Sequence, residues 1–482
     1  MPHTTWRKAA VLTIAIALVA AGCGSGDSDE EAGGRKAEPT AGTWKPWLLS
    51  APSEVPVPPP PAKGSDQEKA EDQEIKDLAA KRTPEVKDIV RRWAAEGAPV
   101  STPWVEMNLE FVSARAKDPP LSSRGYALMS VAVYDAMVAT WHYKYQYNRK
   151  APDVGERLAD PGADPSYPSE HAAIAGAASK VLAYLFPERP ALRLDESADQ
   201  AADSRVMAGA NRRSDVDAGL ELGRKIGEKV IAYAKADGAE KPCNKKAPGG
   251  PPRYWAPPPG SVANPVQPCA GEWKTWAMNS GSQFRPGPPP VFGSPAFLAQ
   301  AREAVEVKNA LTEEQKKAAT FWAGGQGTPL PAGVWMNVLL AYLRDQVPTE
   351  PHAERTLALA AVAMSDAGVA SWDAKFTYWD PRPQNGIRDS GIDKNWNPYI
   401  DTPFFPSYIS GHATYSSAAA EVLTYLFPKD AAQFNAKADE ASNSRLWGGI
   451  HWRADNETGL AVGRKVGALV VERAKTDGGG TG

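Results

Sequence analysis

Tyr134–Pro152 (YDAMVATWHYKYQYNRKAP) aligns without a gap on Ser365–Pro383 (SDAGVASWDAKFTYWDPRP), and two further blocks follow each in the same order. PSYPSEHAA is matched by PSYISGHAT, and SRVMAGANRRSDVDAGLELGRKIG by SRLWGGIHWRADNETGLAVGRKVG. Each copy also holds a run ending in YLFP, at Tyr184–Pro187 and Tyr425–Pro428. A repeat of this length restricts the chain to two similar units in succession. Their type follows from the apolar pattern. In TLALAAVAMSDAGVASWDAKF, Leu, Ala and Val recur at helical spacing, and ATYSSAAAEVLTYLF is rich in the strongest helix former. We therefore expect an all-α protein of two related helical bundles from an internal duplication, over 85–238 and 296–476, with a long Pro/Gly-rich loop over 239–295 between them. That loop contains PPRYWAPPPG and EWKTWAMNSGSQFRPGPPP, whose aromatic residues need burial.

The chemistry is concentrated in the second copy. Lys375 lies near the end of its helical run, and Pro381 and Pro383 forbid continuation, so Arg382 sits on a stiff turn beyond it. Ser410 and Gly411 stand immediately before a helix, where free backbone N–H groups and the helix dipole face an anion. Arg445 precedes His451 by a Gly-Gly step, and His451 and Asp455 are spaced to share a helix face, where the carboxylate can fix the imidazole tautomer. Taken singly, an arginine is usually solvated, a Ser-Gly pair usually a turn and a His/Asp pair often a helix salt bridge. Together they suit one task, holding an oxyanion while a histidine bonds its central atom. Of the six histidines, both of those beyond residue 352, His412 and His451, fall in these segments. The first copy keeps Lys144, Ser169, His171, Arg205 and Asp215, but Ala151 stands for Arg382, Glu170 for Gly411 and Asn211 for His451. A glutamate repels an oxyanion and asparagine cannot accept a phosphoryl group, so the first copy reads as structural.

The pattern Lys-x6-Arg-Pro, Ser-Gly-His and Ser-Arg-x5-His-x3-Asp resembles the signature shared by vanadium-dependent haloperoxidases and the type 2 phosphatidic acid phosphatase superfamily. The resemblance implies that Lys375, Arg382, Ser410, Gly411 and Arg445 bind the oxygens of vanadate or phosphate. It implies that His451 is the ligand of vanadium or the phosphoryl-accepting nucleophile, His412 the acid–base residue and Asp455 the partner of His451. Trp372 and Phe405 match aromatic positions lining the vanadate pocket in chloroperoxidase-type members. The long loop and TFWAGG (Thr320–Gly325) resemble bacterial haloperoxidase-like proteins more than the lipid phosphatases. Two departures stand out. Ile409 replaces the usual proline before Ser-Gly-His, and Gly324 and Gly325 stand where related sequences often carry an acidic residue that braces an arginine. On the haloperoxidase branch the cofactor is vanadate and the substrates are hydrogen peroxide and a halide; on the phosphatase branch there is no cofactor and the substrate is a phosphomonoester. A third class, a non-catalytic envelope lipoprotein, is disfavoured because the second copy keeps every chemical group.

Arg7 and Lys8 precede AAVLTIAIALVAAG and Cys23, the form of a lipoprotein signal peptide over 1–23, with Ala20 in place of the usual leucine. A flexible Pro-rich tether over 24–66 is expected to follow, giving an extracytoplasmic enzyme attached to the bacterial membrane only through a lipid on Cys23, or secreted if that signal is simply cleaved. Export makes a Cys243–Cys269 disulfide the default for the remaining cysteines. A net charge of −3 carries no nucleic-acid footprint, and nothing in the sequence points to an oligomeric state.

Overall fold

The computed structural model describes residues 36–481 apart from 116–117, 190–192, 259, 262–263, 326 and 347–348. The signal-peptide and Cys23 readings lie outside the described residues. Among those residues the fold is all-helical, with no strand and no helix long and apolar enough to cross a membrane.

Apart from one extra short helix, the order of helices in the first half recurs in the second among the described residues. The first runs α1 (Asp66–Ala79), α2 (Pro84–Ala94), α3 (Thr102–Ser113), α4 (Pro119–Tyr147), α5 (Glu170–Leu185), α6 (Leu194–Met207) and α7 (Arg213–Lys235). The second runs α8 (Pro295–Asn309), α9 (Glu313–Phe321), α10 (Leu330–Gln346) and α11 (Glu350–Tyr378). After a short extra helix α12 (Pro383–Asp389) come α13 (Gly411–Leu426), α14 (Ala431–Trp447) and α15 (Arg453–Ala474). The long helices α4 and α11 pack on one another at the centre, and nearly every residue of either is buried. Each begins with proline in its first turn, where no N–H is needed, and each ends on a left-handed residue, Asn148 (φ 49°) and Trp379 (φ 52°).

Close helix approach sets the site's frame. A Cβ on Gly463 of α15 would lie 2.1 Å from Ser417 Oγ and 2.3 Å from Thr414 O of α13, and one on Gly223 would lie 1.9 Å from Ala173 O in the first half. Only glycine permits that contact, which brings the middle of α15 against the first turns of α13.

The tether reading is corrected from residue 36 onward. Trp44, Leu49, Val55 and Val57 are buried. Asp135 of α4 accepts the backbone N–H groups of Trp47 (2.7 Å), Leu48 (2.8 Å) and Leu49 (3.2 Å), while Tyr147 and Tyr167 hydroxyls hold the carbonyls of Val57 (2.7 Å) and Pro58 (2.6 Å). The segment is fixed because its backbone donors meet a buried carboxylate and its apolar side chains meet the bundle. Asp366 of α11 does the same for Trp276, Ala277 and Met278, so each half starts earlier than 85 or 296, at AGTWKPW (41–47) and AGEWKTW (270–276). Trp255 and Trp273 of the inter-half loop are buried, and Cys243 and Cys269 are disulfide-bonded.

Candidate active site

The ends of five helices converge on one buried cluster of polar side chains. The end of α11 supplies Lys375, whose Nζ donates to the carbonyls of Pro406 (2.9 Å) and Ser407 (2.8 Å). The same ammonium lies 5.7 Å from the Trp372 ring centre and 5.3 Å from that of Phe405. Arg382 caps α12, lies 4.9 Å over Phe405, and donates from Nε to Phe405 O (2.7 Å) and from Nη1 to Ile450 O (2.6 Å). At the end of α14, Arg445 donates from Nε to Ser444 Oγ (2.9 Å) and from Nη2 to Ala319 O of α9 (2.9 Å). Ser410 caps α13 and Gly411 is its first residue, with Trp372 and Tyr415 lying beyond the place a Cβ would take.

His451 sits in the turn before α15. Its Nδ1 is 2.8 Å from Asp455 Oδ2, and its Nε2 is 3.0 Å from Arg382 Nη1. With Nδ1–H donating to the carboxylate, Nε2 keeps its lone pair toward the guanidinium. Asp455 Oδ2 also accepts from Ser407 Oγ (2.5 Å) and Trp452 N (3.2 Å), so four residues lock the ring. Burial, then Arg382, holds His451 well below the ordinary histidine value; burial, then Arg445, does so for His412. Both shifts favour the neutral imidazole. Burial pushes Asp455 up to about 6, with the Ser407 hydrogen bond and Lys375 pulling the other way.

Not every polar atom of the site is paired. The donors Arg382 Nη2 and Arg445 Nη1 are buried with no partner among the described residues, as are the ring nitrogen His412 Nε2 and the carboxylate oxygens Asp380 Oδ2 and Asp455 Oδ1. Leaving one such group unpaired costs about 1–3 kcal/mol and more for a charged one. Burial also drives the Lys375, Arg382 and Arg445 cations below their usual values, with Arg382 adding to the effect at Lys375 and Arg445, and Asp455 and Asp380 opposing it at Lys375 and Arg382. Three cations, two helix-start N–H positions and an unpaired imidazole nitrogen form a donor set for a tetrahedral oxyanion, and vanadate and phosphate both fit it.

The first half answers its own charge. Lys144 Nζ is 2.9 Å from Glu170, which stands in Gly411's place, and although burial opposes it, Lys144 and His171 hold that carboxyl well below the usual range. Asn211, in place of His451, bridges Arg205 Nε (3.3 Å) and Ser166 O (3.1 Å). Arg149 ion-pairs Asp215 at 2.8 Å.

Lys375, Arg382, Ser410, Gly411, His412, Arg445, His451 and Asp455 thus lie together in the second half with Trp372 and Phe405 beside them, Cys243 and Cys269 lie in the inter-half loop, and Cys23 lies outside the described residues. Two were missed. Ser407 was inside a quoted block, and its counterpart Ser166 in the first copy was the signal available. Asp380, the counterpart of Arg149, is buried beside the site with its carboxyl raised well above the usual range by burial and by Asp455. The acidic brace is indeed missing: a Cβ on Gly324 would lie 3.3 Å from His412 Nε2, and Arg445 keeps its free Nη1.

A family model for the VCPO second helical-bundle domain matches residues 355–438 and 430–478, the stretch carrying all three motifs. Residues 355–478 of the second half are thus similar to the second helical bundle that this family model describes. The vanadium chloroperoxidase of Curvularia inaequalis is 38% identical over 85 residues, a match that spans 14% of this chain and 14% of that protein. A bacterial vanadium-dependent iodoperoxidase crystal structure is similar over far more, 77% of this chain and 95% of that one, with 25% identity and a TM-score of 0.65. A holo-type bacterial vanadium-dependent chloroperoxidase covers 75% of this chain and 93% of its own, with 14% identity and a TM-score of 0.55, a likeness of fold. The likeness to the iodoperoxidase structure therefore extends into the first half, where Glu170 pairs Lys144.

Proposed function

We propose that the protein is a vanadate-dependent haloperoxidase that oxidises a halide with hydrogen peroxide. The observation that carries this is the pair of unpaired guanidinium donors, Arg382 Nη2 and Arg445 Nη1, with the unpartnered His412 Nε2, around the lone pair of His451 Nε2. In this reading Lys375, Arg382, Arg445, Ser410 and Gly411 hold the anion's oxygens and His451 is the ligand of vanadium. Bound vanadate supplies a Lewis acid that activates peroxide toward halide while keeping its own oxidation state. The chain does the rest. Asp455 and Ser407 fix the His451 tautomer, His412 accepts and returns a proton at Nε2, and Trp372 and Phe405 keep water from the cations, which strengthens their pull. The likeness to an iodoperoxidase over three quarters of the chain supports this branch.

The same donors fit phosphate, and a neutral, oriented His451 is equally suited to attack phosphorus, with His412 protonating the leaving alcohol. One preparation decides between them. Dye halogenation with peroxide and vanadate is measured with iodide, bromide and chloride beside hydrolysis of an aryl phosphate. The expected result is oxidation in the order of reductant strength, iodide before bromide before chloride, with phosphate competing. Phosphatase turnover without halide oxidation at any vanadate level overturns the assignment. The proposal includes an extracytoplasmic position with attachment through Cys23, supported by the signal-like N-terminus and the Cys243–Cys269 bond.

A further inference from the structure

The disulfide-bonded loop reaches into the site. Val266 is held from both sides: its carbonyl accepts the indole N–H of Trp372 (3.0 Å), and its N–H donates to Phe404 O (2.9 Å). Its neighbours are anchored as well. Gln267 takes φ 49°, a conformation few non-glycine residues adopt, and donates from Nε2 to Asp118 Oδ2 (2.7 Å), the residue that caps α4 in the other half. Three residues after Val266, Cys269 is bonded to Cys243. The walls so joined are those on which the cations rest, since Lys375 lies over Trp372 and Phe405, and Arg382 over Phe405. The first half offers the contrast. Its corresponding Trp141 buries an indole N–H with no partner among the described residues. The tie exists beside the unpaired nitrogens of Arg382 and Arg445 and is missing where Glu170 pairs Lys144.

We propose that residues 265–269 form a strap in which Val266 is a positioning residue for the aromatic wall of the anion site, so that the Cys243–Cys269 disulfide sets that site's affinity. This rests on the anion-binding reading above. Without the strap, Trp372 and the Phe404–Phe405 segment lose their shared backbone support, and the cations packed on them lose their fixed spacing.

The experiment is calorimetric titration of the full chain with vanadate and, separately, with phosphate, with the melting temperature of every variant recorded. Val266→Pro deletes the N–H that Phe404 accepts, and C243S/C269S deletes the covalent anchor. Each is expected to weaken both anions about fivefold, the worth of one hydrogen bond. Val266→Ala, which keeps both backbone bonds, is expected to bind as wild type. Gln267→Ala, which removes only the tie to Asp118, should shift affinity the same way and serves if Val266→Pro does not fold. Lower melting temperatures with unchanged affinities would mean the strap is structural alone and overturn the inference. Failure of wild type to bind either anion overturns instead the reading beneath it.

Discussion

His451 and Asp455 face each other across one turn, Nδ1 2.8 Å from Oδ2, and that bond decides which imidazole nitrogen keeps its lone pair. His451→Ala is expected to abolish turnover, because the proposed ligand or nucleophile is gone whether the activity is haloperoxidase or phosphatase. Asp455→Asn tests the tautomer: an amide can present N–H to Nδ1 and favour the wrong form. Loss of such an orienting partner costs roughly 10- to 100-fold in affinity or activity. Ser407→Ala, which removes the 2.5 Å bond to the same carboxylate, should fall in the same direction and by less. Wild-type activity in Asp455→Asn would show that the pair is only a helix cap.

Each chain should hold one oxyanion. Glu170 already occupies the first pocket as a built-in anion at 2.9 Å from Lys144, whereas the second leaves Arg382 and Arg445 with unpaired nitrogens. Vanadate calorimetry should count one site per chain. Arg445→Ala should weaken it by about tenfold or more, since hydrogen bonds to charged groups contribute about 1.5–3 kcal/mol. His171→Ala should lower stability and leave the count unchanged. Two equivalent sites would refute the difference drawn between the halves.

The helical class and the residues of the site were legible because each rests on a pattern: apolar spacing for the helices, and ordered blocks with fixed gaps for Lys375, Arg382, Ser410, His451 and Asp455. The segment from 36 to 61 was not. Its Pro-rich composition reads as extended chain, and what holds it is Asp135, one acidic residue of a helix whose burial no local pattern reveals. The visible signal was AGTWKPW against AGEWKTW, outside the blocks that first show the repeat. Ser407 was hidden for another reason: a loop hydroxyl has no spacing rule, and only the path of the chain from Ser407 to Ser410 brings it to Asp455. The unpaired nitrogens of Arg382 and Arg445 are a property of direction, which sequence does not carry.

The N-terminal reading has its own test. If Cys23 is the attachment point, intact mass of detergent-extracted protein from a bacterial host should show a lipid adduct, and Cys23→Ser should release the protein from the membrane fraction. An unmodified chain cleaved elsewhere removes the anchor while leaving export intact.

The paired carboxylates that hold the two N-terminal segments also set a pH dependence of stability. Asp366 accepts three backbone N–H groups, yet burial pushes it from 3.8 up to about 6, and Asp135 is raised to the same value. A raised carboxyl binds its proton more tightly in the folded state than in the unfolded chain. Its contribution is therefore fully present below about pH 4 and is lost as pH rises through 6. Each tenfold gain in proton affinity is worth about 1.4 kcal/mol, so the contribution is roughly 2–3 kcal/mol for each group. Asp366→Asn removes the titration and one acceptor lone pair. The variant should be the less stable protein at pH 4, and its deficit against wild type should shrink by pH 7 as wild type loses this contribution. Urea unfolding of both proteins at steps between pH 4 and 7 measures this, and a deficit that stays constant or widens with pH would show that Asp366 is already ionised across the range.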